Sequence, residues 1–452
     1  MTTPHNGGDF LADLRRRSLA EDGVFRLDGG LLAVFEPAAA REVSRANWQG
    51  LVLADRFVDT LLRRRGTPVP WTTVRTAWLT RLHTLGTAEQ HAALIDRMRE
   101  SLDEHVGDDV DLVMLAQDVA VRSVLPVVLT GLTERESARI REDLDQKLAR
   151  LIDRHPGHGL RHRAHFTAVQ MRAGFVVRRV LRERASGRRP REQDLADPFV
   201  DLLPVLGMDR ALDAVTAVLT AIGGPPGSAA ASVLYEFARH PEWQDRLTHE
   251  LRDVDLGLFT ATPVKAAPVT HRFVKEVLRM WSPPLLLMRR ARVSMDVGAD
   301  RLEEGQGYLV SPHMVHRDPR FWAEPDTFDP DRFLPGAAHG PADRTHYVPF
   351  GWAPKRCIGA DIGTVQLMAL CHLLCTRYRL TVPHADKVTM ACRFAPVPQD
   401  FRGRLAYASD QDDPAAAPAT AVNHSPDANA GASCPVRRAN STSPATWRGP
   451  SE

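Results

Sequence analysis

The chain has 452 residues, 43% of them hydrophobic and 25% charged, with 58 Lys and Arg against 56 Asp and Glu. Ordinary domains run to about 100 to 200 residues, so the length fits two or three of them or one unusually large one. Near-neutrality argues against a nucleic-acid or membrane-surface polyelectrolyte, and no apolar run approaches the roughly 18 to 20 residues of a membrane span.

The opening residues, MTTPHNGGDFLADLRRR, lack the apolar centre of a secretion signal, which predicts a cytoplasmic protein. A β-like stretch follows at Val24 to Phe35, and the run Arg63 to Arg65 reads as a solvated basic patch. Apolar residues then recur at helical spacing over Thr87 to His105, Asp111 to Leu129, Glu134 to Arg154, His165 to Ala185, Arg210 to Ala221 and Ser228 to Arg239. Short β-like pieces appear at Arg289 to Val297, Gln306 to Ser311 and Phe401 to Tyr407, and a long apolar helix is predicted over Gly363 to Leu380. Between about 280 and 356 the texture is Pro, Gly and single aromatics, a meander that only specific contacts can pin. From Ser409 onward Ala, Pro, Ser, Asn and Asp dominate, which predicts disorder. The predicted fold class is mainly α, with a lead-in over 1–19, a single large helical domain with a small β-sheet over 20–408, and a tail over 409–452.

Five cysteines, at 357, 371, 375, 392 and 434, form no regular disulfide framework and no CxxC pair, so any special cysteine acts alone. Cys371 and Cys375 lie four apart on the predicted apolar helix and read as buried small residues. Cys357 is different. It sits in Phe350-Gly-Trp-Ala-Pro-Lys-Arg-Cys357-Ile-Gly359, just before a helix, where loop amides, a helix amino-terminus, Lys355 and Arg356 all favour a thiolate. A cysteine thiolate is a proximal haem ligand that pushes electron density onto iron. His313 and His316, three apart, have no carboxylate or cysteine completing a metal set and read as polar residues of a turn.

The loop resembles the signature of the cytochromes P450: Phe, any two, Gly, any, Arg or His, any, Cys, any, Gly. Phe350, Cys357 and Gly359 match its spacing, while Ala353 replaces the central Gly and Lys355 the basic position, where it can pair with a carboxylate but not in bidentate fashion. Glu276-Val-Leu-Arg279 matches the family's ExxR, with Arg332 in Phe-Asp-Pro-Asp-Arg-Phe as its later partner, and Trp71-Thr-Thr-Val-Arg75 matches a Trp-x-x-x-Arg beside a haem propionate. The resemblance, which spans roughly residues 20 to 408, implies a soluble bacterial haem-thiolate protein holding haem b. Cys357 would be the axial ligand, with Trp71, Arg75, Arg289 and Lys355 on the propionates, Arg290 being close enough to exchange with Arg289. Phe350, Gly351, Ile358 and Gly359 would line the loop, and Glu276, Arg279 and Arg332 would brace the proximal side.

The same resemblance places an acid and a threonine on the helix above the haem to relay protons to dioxygen. Here Gly224 and Pro225 stand at those positions, within Ile222, Gly223, Gly224, Pro225, Pro226, Gly227 and Ser228, and neither side chain can pass a proton. Two prolines also predict a broken helix, at about 3 kcal/mol or more each if they lie inside it, and freed carbonyls near Ala221 and Ile222 needing water or ligand. The expected reaction is oxidation of a small or mid-sized molecule of specialised metabolism by a non-standard route. A dioxygen-dependent monooxygenase with protons from substrate, water or Ser228, and a non-catalytic haem-binding accessory protein, are the alternatives. Leu285, Leu286 and Leu287, after a Pro-Pro turn, suit a substrate-pocket wall. Arg344, Lys355 and Arg356 suit docking of a ferredoxin-type electron donor on the Cys357 side.

Overall fold

Each of the six segments with helical periodicity before residue 240 lies largely on a helix over its described residues. The computed structural model describes residues 7–47, 71–151, 160–337, 340, 343–392 and 395–408; Arg63 to Arg65 and the tail lie outside them. The chain divides into two units, Met1–Asp410 and Gln411–Glu452, and all that follows concerns the first. Its helices of ten residues or more are α1 (Gly7–Ala20), α2 (Pro37–Ala46), α3 (Trp71–Leu85), α4 (Ala88–Asp103), α5 (Leu112–Val128), α6 (Glu134–Leu151), α7 (Leu160–Ala185), α8 (Leu203–Ile222), α9 (Pro225–Arg239), α10 (Pro241–Arg252), α11 (Pro268–Met280) and α12 (Ala360–Thr376).

Local chemistry sets several boundaries. Thr87 accepts from the Gln90 amide to cap α4, and Asp111 accepts from the Val113 and Met114 amides to cap α5. Proline stands in the first turn of α2, α9, α10 and α11, where its missing N–H removes no helical bond. The predicted helix to Leu380 stops at Thr376, because Tyr378–Thr381 is taken into a sheet whose register sets Leu380 opposite Leu405.

The strands are β1 (Val24–Arg26), β2 (Leu32–Val34), β3 (Asp109–Asp111), β4 (Leu287–Arg290), β5 (Met295–Val297), β6 (Asp300–Leu302), β7 (Gly307–Val310), β8 (Tyr378–Thr381), β9 (Met390–Cys392), β10 (Pro396–Pro398) and β11 (Arg402–Tyr407). They form a four-stranded sheet ordered β1-β2-β7-β4, a three-stranded sheet β3-β11-β8, and the pairs β9-β10 and β5-β6. Antiparallel pairing of β4 with β7 sets Arg289 opposite Tyr308. The largest core joins α4, α5, α8, α9, α11 and α12 around buried residues such as Trp78, Phe199, Phe237 and Phe273. This mainly helical body with small sheets carries Cys357 on a loop just before α12. Among the described residues no helix is long and apolar enough to cross a membrane.

Candidate functional site

The Cys357 loop is closed by its own backbone. The Cys357 amide donates to the Phe350 carbonyl at 2.9 Å and the Gly351 amide to Val348 at 2.9 Å. Gly351 turns the chain at φ 77°, a left-handed conformation that costs glycine little. The sulfur is exposed, and the surface it exposes faces a cavity of about 410 Å³ that Cys357 lines. Phe350, Gly351, Lys355, Arg356, Ile358 and Gly359 line the same cavity.

The electrostatics differ in one respect from the sequence expectation. Burial pushes the Cys357 thiol up, against the opposing pull of the Gly359 amide, Arg75 and Arg356. Lys355 is not among the groups acting on the thiol. Its ammonium is pushed down to about 7 by burial and then by Arg289 and Arg292, so it belongs to a cationic cluster instead.

Arg75, Arg289 and Lys355 all line the cavity. Arg75 donates to the Arg356 carbonyl at 2.8 Å, tying α3 to the cysteine loop. Trp71 opens α3, but its side chain is outside the described ones. Burial pushes the Arg289 guanidinium down, and among the described residues no carboxylate forms an ion pair with Arg289 or Lys355. Cations crowded into a cavity wall in this way call for an anionic ligand. Arg290 is exposed and donates to the Gly305 carbonyl at 2.8 Å, so it does not exchange with Arg289.

Across the cavity, α8 ends at Ile222 and α9 begins at Pro225. Both prolines occupy the first turn of α9, so the cost expected for prolines inside a helix does not arise. Ile222 and Pro225 line the cavity; Gly223, Gly224 and Ser228 are buried and do not. Ser228 cannot stand in for the missing alcohol there, because its hydroxyl donates to the Pro396 carbonyl at 2.6 Å. Of the three leucines assigned to the pocket wall, only Leu287 lines it: Leu285 is fully buried and Leu286 packs against the same small core. Ala217, Val218, Trp78, Pro283 and Pro284, which sequence reasoning did not assign, complete much of the wall. A signal for Pro283 and Pro284 was present in the rigid turn before Leu285.

Behind the cysteine loop lies a buried brace. Glu276 holds Arg279 through bonds of 2.7 and 2.8 Å and Arg332 through one of 3.0 Å, with all three side chains fully buried. Arg279 also donates to the His316 and Pro325 carbonyls, and Arg332 to Ala323 and Thr327, which pins the aromatic meander. His316 continues the brace toward the cysteine loop: its Nε2 accepts from the Val348 amide at 2.9 Å, so Nδ1 carries the proton and donates to Ser282 at 3.1 Å. Among the described residues no group of three or more His, Cys, Asp and Glu could hold a metal ion.

This arrangement gives the fold an acid limit. Burial first, and Arg279 second, hold the His316 imidazole well below its ordinary value, and His313 is likewise pushed down to about 3. With the folded value depressed, the stability these groups contribute is present in full above the unfolded value of about 6.5. It is lost as the pH falls from there toward the folded values, by up to about 1.4 kcal/mol per pH unit for each. Between about pH 6.5 and pH 5 the denaturant midpoint of the wild type should fall more steeply than that of a His316→Asn variant, and parallel profiles would contradict the assignment.

Comparison with known proteins fixes the family. The sequence profile described as "Cytochrome P450" matches residues 139–398, more than half of the chain. The chain belongs to the cytochrome P450 family. Among curated proteins it is 30% identical over 193 residues to cyclooctatin synthase of Streptomyces melanosporofaciens, covering 42% of this chain and 38% of that protein. It is 31% identical over 161 residues to cytochrome P450 714C3 of Oryza sativa subsp. japonica, covering 34% of this chain and 32% of that one. The matches thus span about a third of the length of these curated relatives. Two solved structures share the P450 fold at low identity. The haem domain of cytochrome P450DA has a TM-score of 0.70 at 17% identity, covering 90% of this chain and 96% of that one. Retinoic acid bound cyanobacterial CYP120A1 has 0.69 at 18%, covering 89% and 95%.

The residues present fit the haem that a P450 holds. One sulfur faces the cavity from a loop before a helix, and half-buried cations suited to carboxylates line the same space. The rest of the lining is mostly apolar, as a macrocycle requires.

Proposed function

We propose that this P450 is a haem-thiolate oxidoreductase of bacterial specialised metabolism that oxidises a small or mid-sized, largely apolar molecule without a side-chain proton relay from α8 or α9. The observation that carries the reading is the distribution of titratable groups. Among the described residues lining the cavity these are Arg75, Arg289, Lys355, Arg356 and Cys357, all belonging to the cysteine loop, α3 or β4. From Ala217 to Ala229 the lining residues are Ala, Val, Ile and Pro.

Haem b, bound through Cys357, would supply the redox chemistry. Arg75, Arg289 and Lys355 would hold its carboxylates, and the Gly359 amide would donate to the sulfur and restrain its basicity. Ile222, Pro225 and Leu287 would press the substrate toward the reacting centre and exclude water from it. Ser228, spent on Pro396, and Gly224 and Pro225, which lack a transferable proton, would move none. On this route the protons would arrive with a peroxide co-substrate. The exposed Arg356, paired with Asp361 at 3.5 Å, supports docking of an acidic ferredoxin-type donor on that face. The relative named as a cyclooctatin synthase supports a biosynthetic role.

The test is turnover of a small panel of apolar substrates by the haem-loaded enzyme, with hydrogen peroxide alone and with dioxygen plus an electron donor. Peroxide-supported product at a rate equal to or above that with dioxygen is expected. Efficient dioxygen turnover, with electrons fully recovered in product and none from peroxide, would overturn the non-standard route and favour relay by substrate or water.

A further inference from the structure

The break between α8 and α9 is filled from outside. On one side a Cβ at Gly223 would stand 3.0 Å from the Leu144 side chain of α6. On the other, a Cβ at Gly227 would collide with Oε1 of Gln117 on α5 and stand 2.9 Å from its Cα. The two glycines thus let neighbouring helices close upon the break. Gln117 is 1% exposed, and its Nε2 donates to the Gly223 carbonyl at 3.2 Å. The reverse orientation of the amide would set two oxygens face to face, which fixes this one. Its Oε1 is buried beside Gly227 with no hydrogen-bond partner among the described residues.

Leaving a helix broken in the interior frees carbonyls that must find donors. Two are met by the chain itself: the Gly223 amide donates to Thr220 and the Ser228 amide to Gly224. The Gly223 carbonyl is met by Gln117, from a helix more than a hundred residues earlier. The flanking residues Ile222 and Pro225 both line the cavity. Whatever holds the Gly223 carbonyl therefore sets where those two side chains stand.

We infer that Gln117 is a positioning residue for the distal wall: its amide latches the Gly223 carbonyl away from the cavity, fixes Ile222 and Pro225, and depends on the absence of a side chain at Gly227. This rests on the reading of Cys357 as haem ligand and of Ile222 to Pro225 as the wall opposite it. The latch keeps that wall apolar by turning its polar backbone toward α5. Removal of the donor leaves a buried carbonyl that must turn to another partner, and the wall moves with it.

The probe is the infrared C–O stretching band of carbon monoxide on the reduced, haem-loaded protein, which responds to polarity and packing at the distal wall. Gln117→Met keeps the volume and removes the donor; Gln117→Leu serves if the first does not fold. Gly227→Ala leaves Gln117 in place but drives its amide off. Each is expected to shift the band relative to wild type, with the double variant shifted no further than either single one. Ser228→Ala, which removes a buried bond from the same helix, is expected to lower the melting temperature and leave the band in place. An unmoved band in folded Gln117 or Gly227 variants, or shifts that simply add, would overturn the latch. Failure of the underlying reading is visible separately, as wild-type protein lacking the thiolate absorption before any variant is compared.

Discussion

Replacement of Glu276 by Ala should cost the fold about 3 to 5 kcal/mol, the scale for breaking a buried ion pair by removing one partner. The reason is the geometry of the brace. Glu276 is the shared carboxylate of Arg279 and Arg332, at 2.7 to 3.0 Å, and also accepts from the Asp329 amide at 2.9 Å. Without it two guanidinium groups remain fully buried, still bonded to carbonyls but without the carboxylate they share. Those carbonyls belong to the meander that leads to the cysteine loop, so the damage should reach the site. Glu276→Ala protein should be recovered with little haem and unfold at lower denaturant than wild type. Glu276→Gln, which keeps the shape and the acceptor oxygen, should fall between the two. Wild-type stability and haem content in Glu276→Ala would show that the triad contributes nothing.

Replacement of Cys357 by Ser should abolish product formation while leaving the polypeptide folded. The side chain lies exposed on the cavity wall, and its backbone amide bond to Phe350 does not involve the sulfur. Little packing is lost with it, unlike the Glu276 change. The loop supplies no alternative ligand: the other cavity-lining residues at 355, 356, 358 and 359 are Lys, Arg, Ile and Gly. Circular dichroism and thermal unfolding near wild type, with product below detection, are expected. Product at the wild-type rate from the Ser variant would remove Cys357 from the chemistry and move the weight to an accessory role.

The features legible in the sequence are those whose chemistry is local. Glu276 and Arg279 lie three apart on one helix, and their pairing follows from helical spacing alone. The cysteine loop carries its turn residues and its ligand within ten positions. Gly224 and Pro225 announce in one dipeptide that a proton cannot pass through them. What escaped notice depends on partners far away in the chain. Ser228 reads as a spare hydroxyl until β10 is folded against α9 and presents the Pro396 carbonyl to it. Gln117 reads as one polar residue in the apolar run of α5, although a buried amide in such a run always requires a partner. The leucines at 285, 286 and 287 look equivalent, yet only Leu287 lies on β4 and faces the cavity, while Leu285 is sealed in the core beneath it. The prolines at 225 and 226 appear disruptive only until the helix is seen to start with them, and the charge of Lys355 appears to act on the sulfur until the lysine is seen beside Arg289.

The most direct measurement is the absorption spectrum of the purified, haem-loaded wild-type protein after reduction and exposure to carbon monoxide. A strongly red-shifted Soret band is expected, the mark of a sulfur anion opposite the carbon monoxide, with Cys357 as its source. An ordinary band typical of histidine ligation, or no haem uptake at all, would contradict the assignment of Cys357 and with it the proposed chemistry.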